Sequence, residues 1–351
     1  MISKKIRFAI GLGLGIPLIL LASIAGSEFR PPPIMNIEAK GDAVNKLPIN
    51  KDLTLISWNI QFAGSRKHHF FYDGGQAVSV PKEDVLETQE AIKKILKQEG
   101  TDIALLQEID RYSARTQDID QLEILKTYHP ALSWMVTPYH KAPYVPHPPH
   151  EPMGRVNLNL GILSKYKLLD GKRHQLALLN EPRWRQYFNL KRALLESEIP
   201  LKENQGTLKI AVTHLSAFSH GDGTLDKQVN QLKEWMESQP PEQPWILAGD
   251  FNLLPPNDYI PRLGDDAKLY ADKTNPMESI IPKFKNAFTE LLGAQNYTYL
   301  PFGSREPDRK IDYIFYGGPI EIKQAIVLRY AADISDHLPL KIQFQITKEA
   351  P

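Results

Sequence analysis

The chain has 351 residues, 42% of them hydrophobic and 24% charged, which is typical of a globular protein and excludes a largely disordered one. Lys and Arg (42) nearly balance Asp and Glu (41), so the chain lacks the basic excess of a dedicated binder of long duplex DNA. The absence of cysteine excludes disulfides, thiolate catalysis, zinc–cysteine sites and lipidation on cysteine.

The first 26 residues carry a membrane-targeting pattern. Three basic residues precede an uncharged run from Phe8 to Gly26, and about 19 such residues in a helix are enough to cross a bilayer. The basic flank predicts a cytoplasmic N-terminus, which places the rest of the chain on the periplasmic or extracellular side. The small residues Ser23 and Ala25 leave a cleaved signal peptide, and so a secreted protein, as the alternative.

The region after this segment divides into a linker and a domain. Residues 27–50 are polar and rich in proline, so we interpret them as a linker. Regular structure is predicted from Leu53 onward. No repeat of fixed period and no break in composition interrupts the rest, so residues 51–348 are interpreted as one domain.

Short strands dominate this domain. Apolar runs and alternating patterns predict strands at 53–59, 103–108, 161–164, 193–199, 208–214, 245–250, 310–316 and 340–346. Apolar residues at helical spacing predict helices at 84–98 and 225–236. Many short strands with few helices predict an α/β fold in which two sheets pack face to face, with helices outside.

Two segments read as insertions, at 66–75 and 137–154, because they are dense in proline, histidine and aromatic residues. The second contains His140, His147 and His150, which suggests a zinc site as one possibility. No carboxylate completes a ligand set there, so we favour an exposed loop whose prolines preclude regular structure.

Polar side chains recur where the apolar strands end. A buried ionisable group costs several kcal/mol unless it is paired or metal-bound, so such groups at strand ends are expected to share one site. Taken singly, each has an ordinary explanation, such as a turn former or a surface ion pair. The residues in question are Asn59, Glu108, His214, Asp250 with Asn252, Asp336 with His337, and Asp312 within an apolar stretch.

The order of these residues resembles a known family. The successive motifs resemble those of the endonuclease/exonuclease/phosphatase superfamily, which has the fold of deoxyribonuclease I. They are Trp58-Asn59, Gln107-Glu108, Thr213-His214-Leu215, Gly249-Asp250-Phe251-Asn252, Ile311-Asp312-Tyr313 and Ser335-Asp336-His337-Leu338-Pro339. The resemblance implies a four-layer α/β/β/α sandwich of two mainly antiparallel sheets with outer helices, and a requirement for Mg²⁺ or Mn²⁺.

The resemblance also implies a metal centre. Glu108 would be the principal metal ligand, helped by Asn59 and Asp336. Oxygen ligands of this kind suit a hard divalent cation that keeps several of its waters.

Five further residues acquire roles in phosphoryl transfer by the same resemblance. Asp250 would orient or deprotonate the attacking water, and Asn252 would bind a phosphate oxygen. His337, steadied by Asp312, would stabilise the charged transition state, with His214 binding the phosphate from the other side. These roles agree with the physics, because phosphoryl transfer is catalysed mainly by positioning and by neutralising developing charge.

The leaving-group residue and the substrate stay open at this point. Tyr139, Tyr144 and Asn159 are candidates for the former. The superfamily implies phosphodiesters or phosphomonoesters, and an exported domain with aromatic residues at 70–72 favours phospholipid headgroups at a membrane slightly over nucleic acid. The alternatives are an exported metal-dependent nuclease, a zinc hydrolase built on the histidine-rich loop, and a catalytically inactive binding module on the same fold.

Overall fold

The computed structural model describes residues 28–217, 221–270 and 274–347. The predicted anchor or signal peptide at 1–26 lies outside these residues. Within them, no helix combines the length and the apolar character needed to span a bilayer.

Two sheets of seven strands each, numbered in chain order, form the centre of the described chain. The first sheet has the spatial order β1 (Ile34–Ile37), β7 (Gly171–Gln175), β8 (Ala193–Pro200), β9 (Thr207–His214), β10 (Trp245–Asp250), β12 (Asp312–Gly317) and β11 (Lys285–Asn286). The second has the order β13 (Ile320–Val327), β14 (Leu340–Ile346), β3 (Leu53–Asn59), β4 (Ile103–Asp110), β6 (Gly154–Ser164), β5 (Ser133–Val145) and β2 (Lys40–Gly41).

Most strand pairs are antiparallel, as the sequence predicts. The exceptions are the central pairs β3–β4 and β9–β10, which are parallel. Because parallel strands end at the same edge of a sheet, each central pair brings two strand ends together. These two edges carry the polar residues singled out above.

The helices lie outside the sheets. They are α1 (Lys82–Gln98), α2 (Gln121–Leu125), α3 (Arg183–Gln186) and α4 (Thr224–Glu237). Strand β10 shows the layering: Ile246 and Ala248 point into the core between the sheets, whereas Leu247 packs with Leu232 of α4 on the outer face. α1 buries its apolar side in the cluster that contains the second sheet. The four-layer sandwich is confirmed.

Single-turn and longer 3-10 segments connect these elements. They span Gln61–Ala63, Phe71–Asp73, Ala114–Thr116, Lys126–Tyr128, Lys202–Asn204, Ile260–Tyr270, Pro276–Ser279, Ala294–Asn296 and Arg329–Ala331.

Part of the segment predicted as a linker, residues 27–50, is incorporated into the two sheets. Residues 34–37 pair with β7 at the edge of the first sheet, and residues 40–41 pair with β5 at the edge of the second. Leu47 is fully buried. Short edge strands tolerate a proline-rich, polar sequence because one side of the backbone needs no partner, which is why composition alone suggested a linker.

The predicted loop at 137–154 is also largely a strand. β5 continues to Val145 and pairs with β6, with register shifts at Pro138/His140 and at Ala142/Val145. β2 pairs only with the first residues of β5, so the prolines of β5 sit along an edge. A proline can occupy such an edge, since its missing N–H is not required there.

Candidate active site

Neighbouring strands bring the predicted residues of the first sheet side by side. His214 and Asp250 end the parallel strands β9 and β10 and are register partners. Asp312 opens β12, which runs antiparallel to β10, and is the register partner of Asp250 on its other side. Asn59, at the end of β3 in the second sheet, donates a hydrogen bond to Asp250 Oδ2 at 3.1 Å. The site therefore lies where the two sheets meet.

His337 forms a buried ion pair. Its Nδ1 lies 2.9 Å from Asp312 Oδ2, and its Nε2 lies 3.6 Å from Asp250 Oδ2. Burial acts to lower the pKa of His337, but the carboxylates of Asp312 and Asp250 outweigh it and hold the pKa well above its usual value. His337 is thus a cation at neutral pH.

His214 is neutral by contrast. Burial, aided by the Arg192 guanidinium and by His337, holds the pKa of His214 well below its usual value. Its Nδ1 is 3.1 Å from the Tyr139 hydroxyl and its Nε2 is 3.3 Å from Asp250 Oδ2. We infer that the Tyr139 hydroxyl donates to Nδ1 while Nε2–H faces Asp250, because a carboxylate can only accept.

Glu108 and Asp336 are both half-buried, and Glu108 Oε1 lies 3.8 Å from His214 Nδ1. The Asn59 amide donates to Glu108 Oε1 at 3.2 Å, while its oxygen accepts the N–H of Gln61 at 3.0 Å. The N–H of Asp336 in turn donates to the Gln61 side-chain oxygen at 3.2 Å. Asn59 and Gln61 therefore set the positions of both carboxylates.

The backbone is strained where Glu108 enters the site. Its φ is +64°, and the pairing of β4 with β6 shifts register between Leu106 and Ile109. A left-handed φ costs free energy for a residue with a Cβ, and such strain is concentrated at functional sites. The bulge turns Glu108 toward the strand ends and away from the ladder.

The carboxylates of the site are destabilised in their charged forms. Burial raises the pKa of Glu108, and burial together with repulsion from Glu108 raises the pKa of Asp336 to about 6 against the attraction of His337. Burial likewise raises the pKa of Asp250 to about 6. Among the described residues, neither Glu108 nor Asp336 forms an ion pair with a lysine or arginine. A divalent cation between them would supply the missing charge, so these oxygen donors fit one.

A second group of potential ligand atoms lies in the same site. One atom each from Asp250, Asp312 and His337 lies within 4.8 Å of the others. His337 is protonated and hydrogen-bonded to Asp312, and an imidazolium offers no lone pair to a metal. The donor chemistry therefore favours the side of Glu108 and Asp336 for a cation.

The turn after β10 fixes the orientation of Asp250. Asn252 has a φ of +52° and donates its N–H to Asp250 Oδ1 at 2.9 Å, while its side-chain amide donates to the Leu215 carbonyl at 3.1 Å. Gly249 is required before it, because a Cβ there would lie 2.0 Å from the Thr213 carbonyl oxygen of β9. The structure thus gathers all eight predicted residues.

Of the three candidates for the leaving-group side, Tyr139 is the one whose side chain contacts a site residue, through His214. Tyr144 is 52% exposed. The Asn159 amide is committed to the Ile109 and Asn157 carbonyls at 3.1 and 2.9 Å.

The histidine-rich segment does not form a metal cluster in the described chain. His140 is buried, donates its Nε2–H to the Phe188 carbonyl at 2.8 Å, and has its pKa lowered to about 3 by burial. The Asp250–Asp312–His337 group is the only set of three or more potential metal-binding side chains among the described residues.

The aromatic residues at 70–72 pack mainly on the domain. Phe70 is 2% exposed, contacts Phe62 edge-on at 5.1 Å and stacks on Tyr72 at 5.5 Å. Tyr72 remains 37% exposed and lies within the electric fields of Asp336 and Glu108. Phe70 is therefore a core residue and is not available to contact lipid headgroups.

Sequence reasoning missed Arg192 as a site residue. Its guanidinium is buried, lies 5.2 Å from the Tyr139 ring centroid and interacts with Glu108 and Asp250. Its Nη1 has no hydrogen-bond partner among the described residues. Arg192 does not end an apolar strand. It precedes β8, which is antiparallel to β9 and so begins at the edge where β9 ends.

Tyr299 is a second residue that the sequence did not indicate. Its ring packs edge-on against His337 with centroids 5.3 Å apart. It lies in an irregular segment, so no strand pattern marks it.

The sequence matches the model of the endonuclease/exonuclease/phosphatase family over residues 56–337, and the chain belongs to this family. Membership, together with the gathered site, supports its assignment as a phosphoesterase. No curated protein sequence matches the chain significantly.

Solved structures share the fold at low sequence identity. An endonuclease/exonuclease/phosphatase from Beutenbergia cavernae is 20% identical, with a TM-score of 0.57, and the match covers 85% of this chain and 72% of that one. The mannosyl-6-phosphatase Bt3783 of Bacteroides thetaiotaomicron is 14% identical, with a TM-score of 0.52 and coverages of 83% and 99%. D. rerio TDP2 complexed with a single-strand DNA product is 15% identical, with a TM-score of 0.51 and coverages of 84% and 100%.

Proposed function

We propose that this protein is a Mg²⁺- or Mn²⁺-dependent phosphodiesterase or phosphatase, exported and held at a membrane, that acts on phospholipid headgroups. The observation that carries the metal requirement is the pair Glu108 and Asp336, two half-buried carboxylates with raised pKa values and, among the described residues, no lysine or arginine within ion-pair distance. A divalent ion would be held there by their oxygens. Asn59 would join through its amide oxygen after a turn of the amide, because its nitrogen faces Glu108 in this structure. Bound there, it would supply positive charge to a phosphate oxygen.

The residues of the first sheet supply the rest of the chemistry. Asp250, with its pKa raised to about 6, is suited to orient a water and to accept its proton. The cation His337, held by Asp312, neutralises charge that develops on the phosphoryl oxygens. Asn252 offers a second N–H from its amide to a phosphate oxygen. The neutral His214 adds a hydrogen bond and keeps Asp250 in place.

The leaving-group side carries Tyr139 and Arg192. The Tyr139 hydroxyl contacts His214, and the free Nη1 of Arg192 provides a donor beside it. A buried guanidinium with an unused N–H is suited to bind a phosphate oxygen or to stabilise a departing alkoxide.

The proposed location of the protein at a membrane supports the preference for lipid headgroups. The uncharged segment at residues 8–26 and the near-neutral overall charge favour a substrate in the membrane over a polyanion in solution. The competing proposal is an exported nuclease, which is favoured by the likeness of the fold to that of TDP2 with its DNA product.

Substrate preference can be measured with the full-length chain in detergent. Hydrolysis of phospholipid vesicles, plasmid DNA and bis(4-nitrophenyl) phosphate would be compared in Mg²⁺ and in chelator. We expect Mg²⁺-dependent turnover of the diester and the lipid. Rapid DNA nicking without lipid turnover would overturn the lipid assignment, and equal rates in chelator would overturn the metal requirement.

The variant Glu108→Gln tests the metal site directly. It keeps the size of the side chain but removes the charge, so we expect activity to fall by roughly a thousandfold while the fold is retained. The matched control is Glu321→Gln, on the exposed edge strand β13, which should retain full activity. Unchanged activity in Glu108→Gln would contradict the metal-site assignment and would favour a purely structural role for Glu108.

A further inference from the structure

The segment between β7 and β8 presents an unusual surface. Trp184 in α3 is 65% exposed and lies between the exposed Arg183 and Arg185. Leu178, in the same segment, is 39% exposed. An exposed tryptophan of this size gains nothing from packing within the domain, whereas indole rings flanked by arginine favour the headgroup region of a bilayer.

The charges of this surface leave it basic on its outer side. Arg185 lies 5.1 Å from the Trp184 ring centroid and 3.7 Å from Glu181, which neutralises it in part. Glu28 is paired with Arg30 and lies 3.9 Å from Lys191 Nζ. Basic groups of the same surface therefore neutralise its acidic groups. The positive charge that remains is suited to bind lipid phosphates.

The chain enters the domain at the same place. Lys191 is buried, and its ammonium donates to the Gln186 and Asn189 carbonyls while it approaches Glu28. The Arg173 guanidinium lies over the Phe29 ring, with its Cζ 5.6 Å from the ring centroid. The uncharged run of the sequence ends at Gly26, two positions before Glu28. Little chain thus separates a possible membrane segment from this surface.

The surface also borders the active site. The Phe188 carbonyl is hydrogen-bonded to His140 at 2.8 Å, and the N–H of Lys191 donates to the Tyr139 carbonyl at 2.5 Å. The Tyr139 hydroxyl in turn contacts His214. One strand residue therefore links the segment at 178–191 to the catalytic centre.

From these contacts we propose that residues 28–30 and 178–190 form a bilayer-docking surface, here named the Trp184 surface. Trp184 enters the headgroup layer of an anionic membrane, Arg183 contacts lipid phosphates, and the active site is held beside the bilayer. This inference rests on the proposed function for its consequence for substrates, but the docking itself requires no activity. The occupant is the bilayer because the described chain begins at this surface, with Glu28, and the uncharged run of the sequence ends two positions earlier, at Gly26.

The absence of native cysteine permits a clean test by site-directed spin labelling. The full-length Trp184→Cys variant would carry a nitroxide and be reconstituted in vesicles of phosphatidylcholine and phosphatidylglycerol. The matched control is Tyr330→Cys, a 59% exposed position after β13 at the far edge of the second sheet. We expect the label at 184 to be shielded from a water-soluble relaxation agent and accessible to oxygen, and the label at 330 to show the reverse.

Two outcomes would overturn the docking surface. One is equal water accessibility of both labels, and the other is recovery of the chain in the soluble fraction with no vesicle binding. Because both substituted side chains are largely exposed, the variants should fold, which circular dichroism would verify.

A kinetic arm separates this proposal from the proposed function. Trp184→Ala should lower turnover of vesicle lipid by roughly tenfold, which is the order expected when an interfacial tryptophan is lost, and leave hydrolysis of bis(4-nitrophenyl) phosphate unchanged. An equal loss on both substrates would contradict docking. A shielded label at position 184 in a chain that hydrolyses neither substrate would uphold docking and reject the proposed function.

Discussion

The two sides of the active site differ in how their carboxylates are neutralised. On the side of the first sheet, Asp312 is matched with His337 and Asp250 lies between two imidazoles. On the side of the second sheet, Glu108 and Asp336 receive hydrogen bonds from Asn59 and Ser335, and among the described residues no lysine or arginine lies within ion-pair distance of them. The first side carries its own cation, and the second is built to receive one.

This difference also explains the exposure of the two sides. Asp312, His337 and Asp250 are nearly inaccessible, which strengthens their mutual attraction by excluding water. Glu108 and Asp336 are half-buried, so an ion that keeps some of its waters can reach them. Removing a carboxylate should therefore have different consequences on the two sides.

The largest effect is expected when the two sides are compared by paired substitutions. Asp336→Asn and Asp312→Asn should each lower kcat/KM by roughly a hundredfold to a thousandfold. Activity of Asp336→Asn should recover in part at high Mg²⁺, because only a ligand is weakened. Activity of Asp312→Asn should not recover, because this substitution removes the carboxylate that pairs with His337, and added Mg²⁺ does not replace it.

The pH profile adds a second distinction between these variants. Asp312 raises the pKa of His337, so its loss lowers that pKa and moves the loss of the imidazolium to lower pH. The alkaline limb of the kcat/KM profile should shift to lower pH in Asp312→Asn. Identical Mg²⁺ and pH profiles for the two variants would remove the distinction between the sides.

A buried lysine beneath the first side should make stability depend on pH. Lys310 is fully buried, its Nζ has no hydrogen-bond partner among the described residues, and burial lowers its pKa to about 7 against the attraction of Asp312. Between pH 7 and the pKa of about 10.4 in the unfolded chain, the unfolded state binds more protons. The free energy of unfolding should therefore rise with pH across this window, on the order of 4 kcal/mol.

The variant Lys310→Met should remove most of this dependence and be more stable than the native chain at pH 7. Urea unfolding at pH 7 and pH 10 would measure it, with the exposed Lys283→Met as the matched control. If Lys310→Met is less stable than the native chain at pH 7, the ammonium has a partner that offsets its burial.

The smallest effect is expected from loss of the Tyr139 hydroxyl, which contacts His214 on the leaving-group side. Tyr139→Phe removes the hydroxyl from His214 Nδ1 and leaves that nitrogen buried without a donor. We expect kcat/KM to fall by about tenfold, the order of one hydrogen bond to a site residue. The exposed Tyr144→Phe should match the native enzyme, and a similar loss in both would deny Tyr139 a specific role.

Much of this arrangement was predictable because it is local. The apolar pattern gave the strands at 53–59, 245–250 and 340–346 with the bounds that the structure shows. A continuous apolar run marks the first two, which are buried throughout, and alternation marks the third, whose residues are buried alternately. The polar residues Asn59 and Asp250 at the ends of the first two strands, and Asp336 and His337 just before the third, marked a shared edge. The edge strands at 34–37 and 40–41 were not predicted, because a strand that pairs on one side only needs no apolar pattern.

The sequence by itself determined the sandwich, the family resemblance and the eight residues that the structure gathers, because strand ends with buried acids and imidazoles need one another. Only the tertiary structure decided which of Tyr139, Tyr144 and Asn159 reaches the site, and that Arg192 joins it. Which residue meets which depends on strand direction and register, and these are fixed by contacts between segments that are distant in the chain.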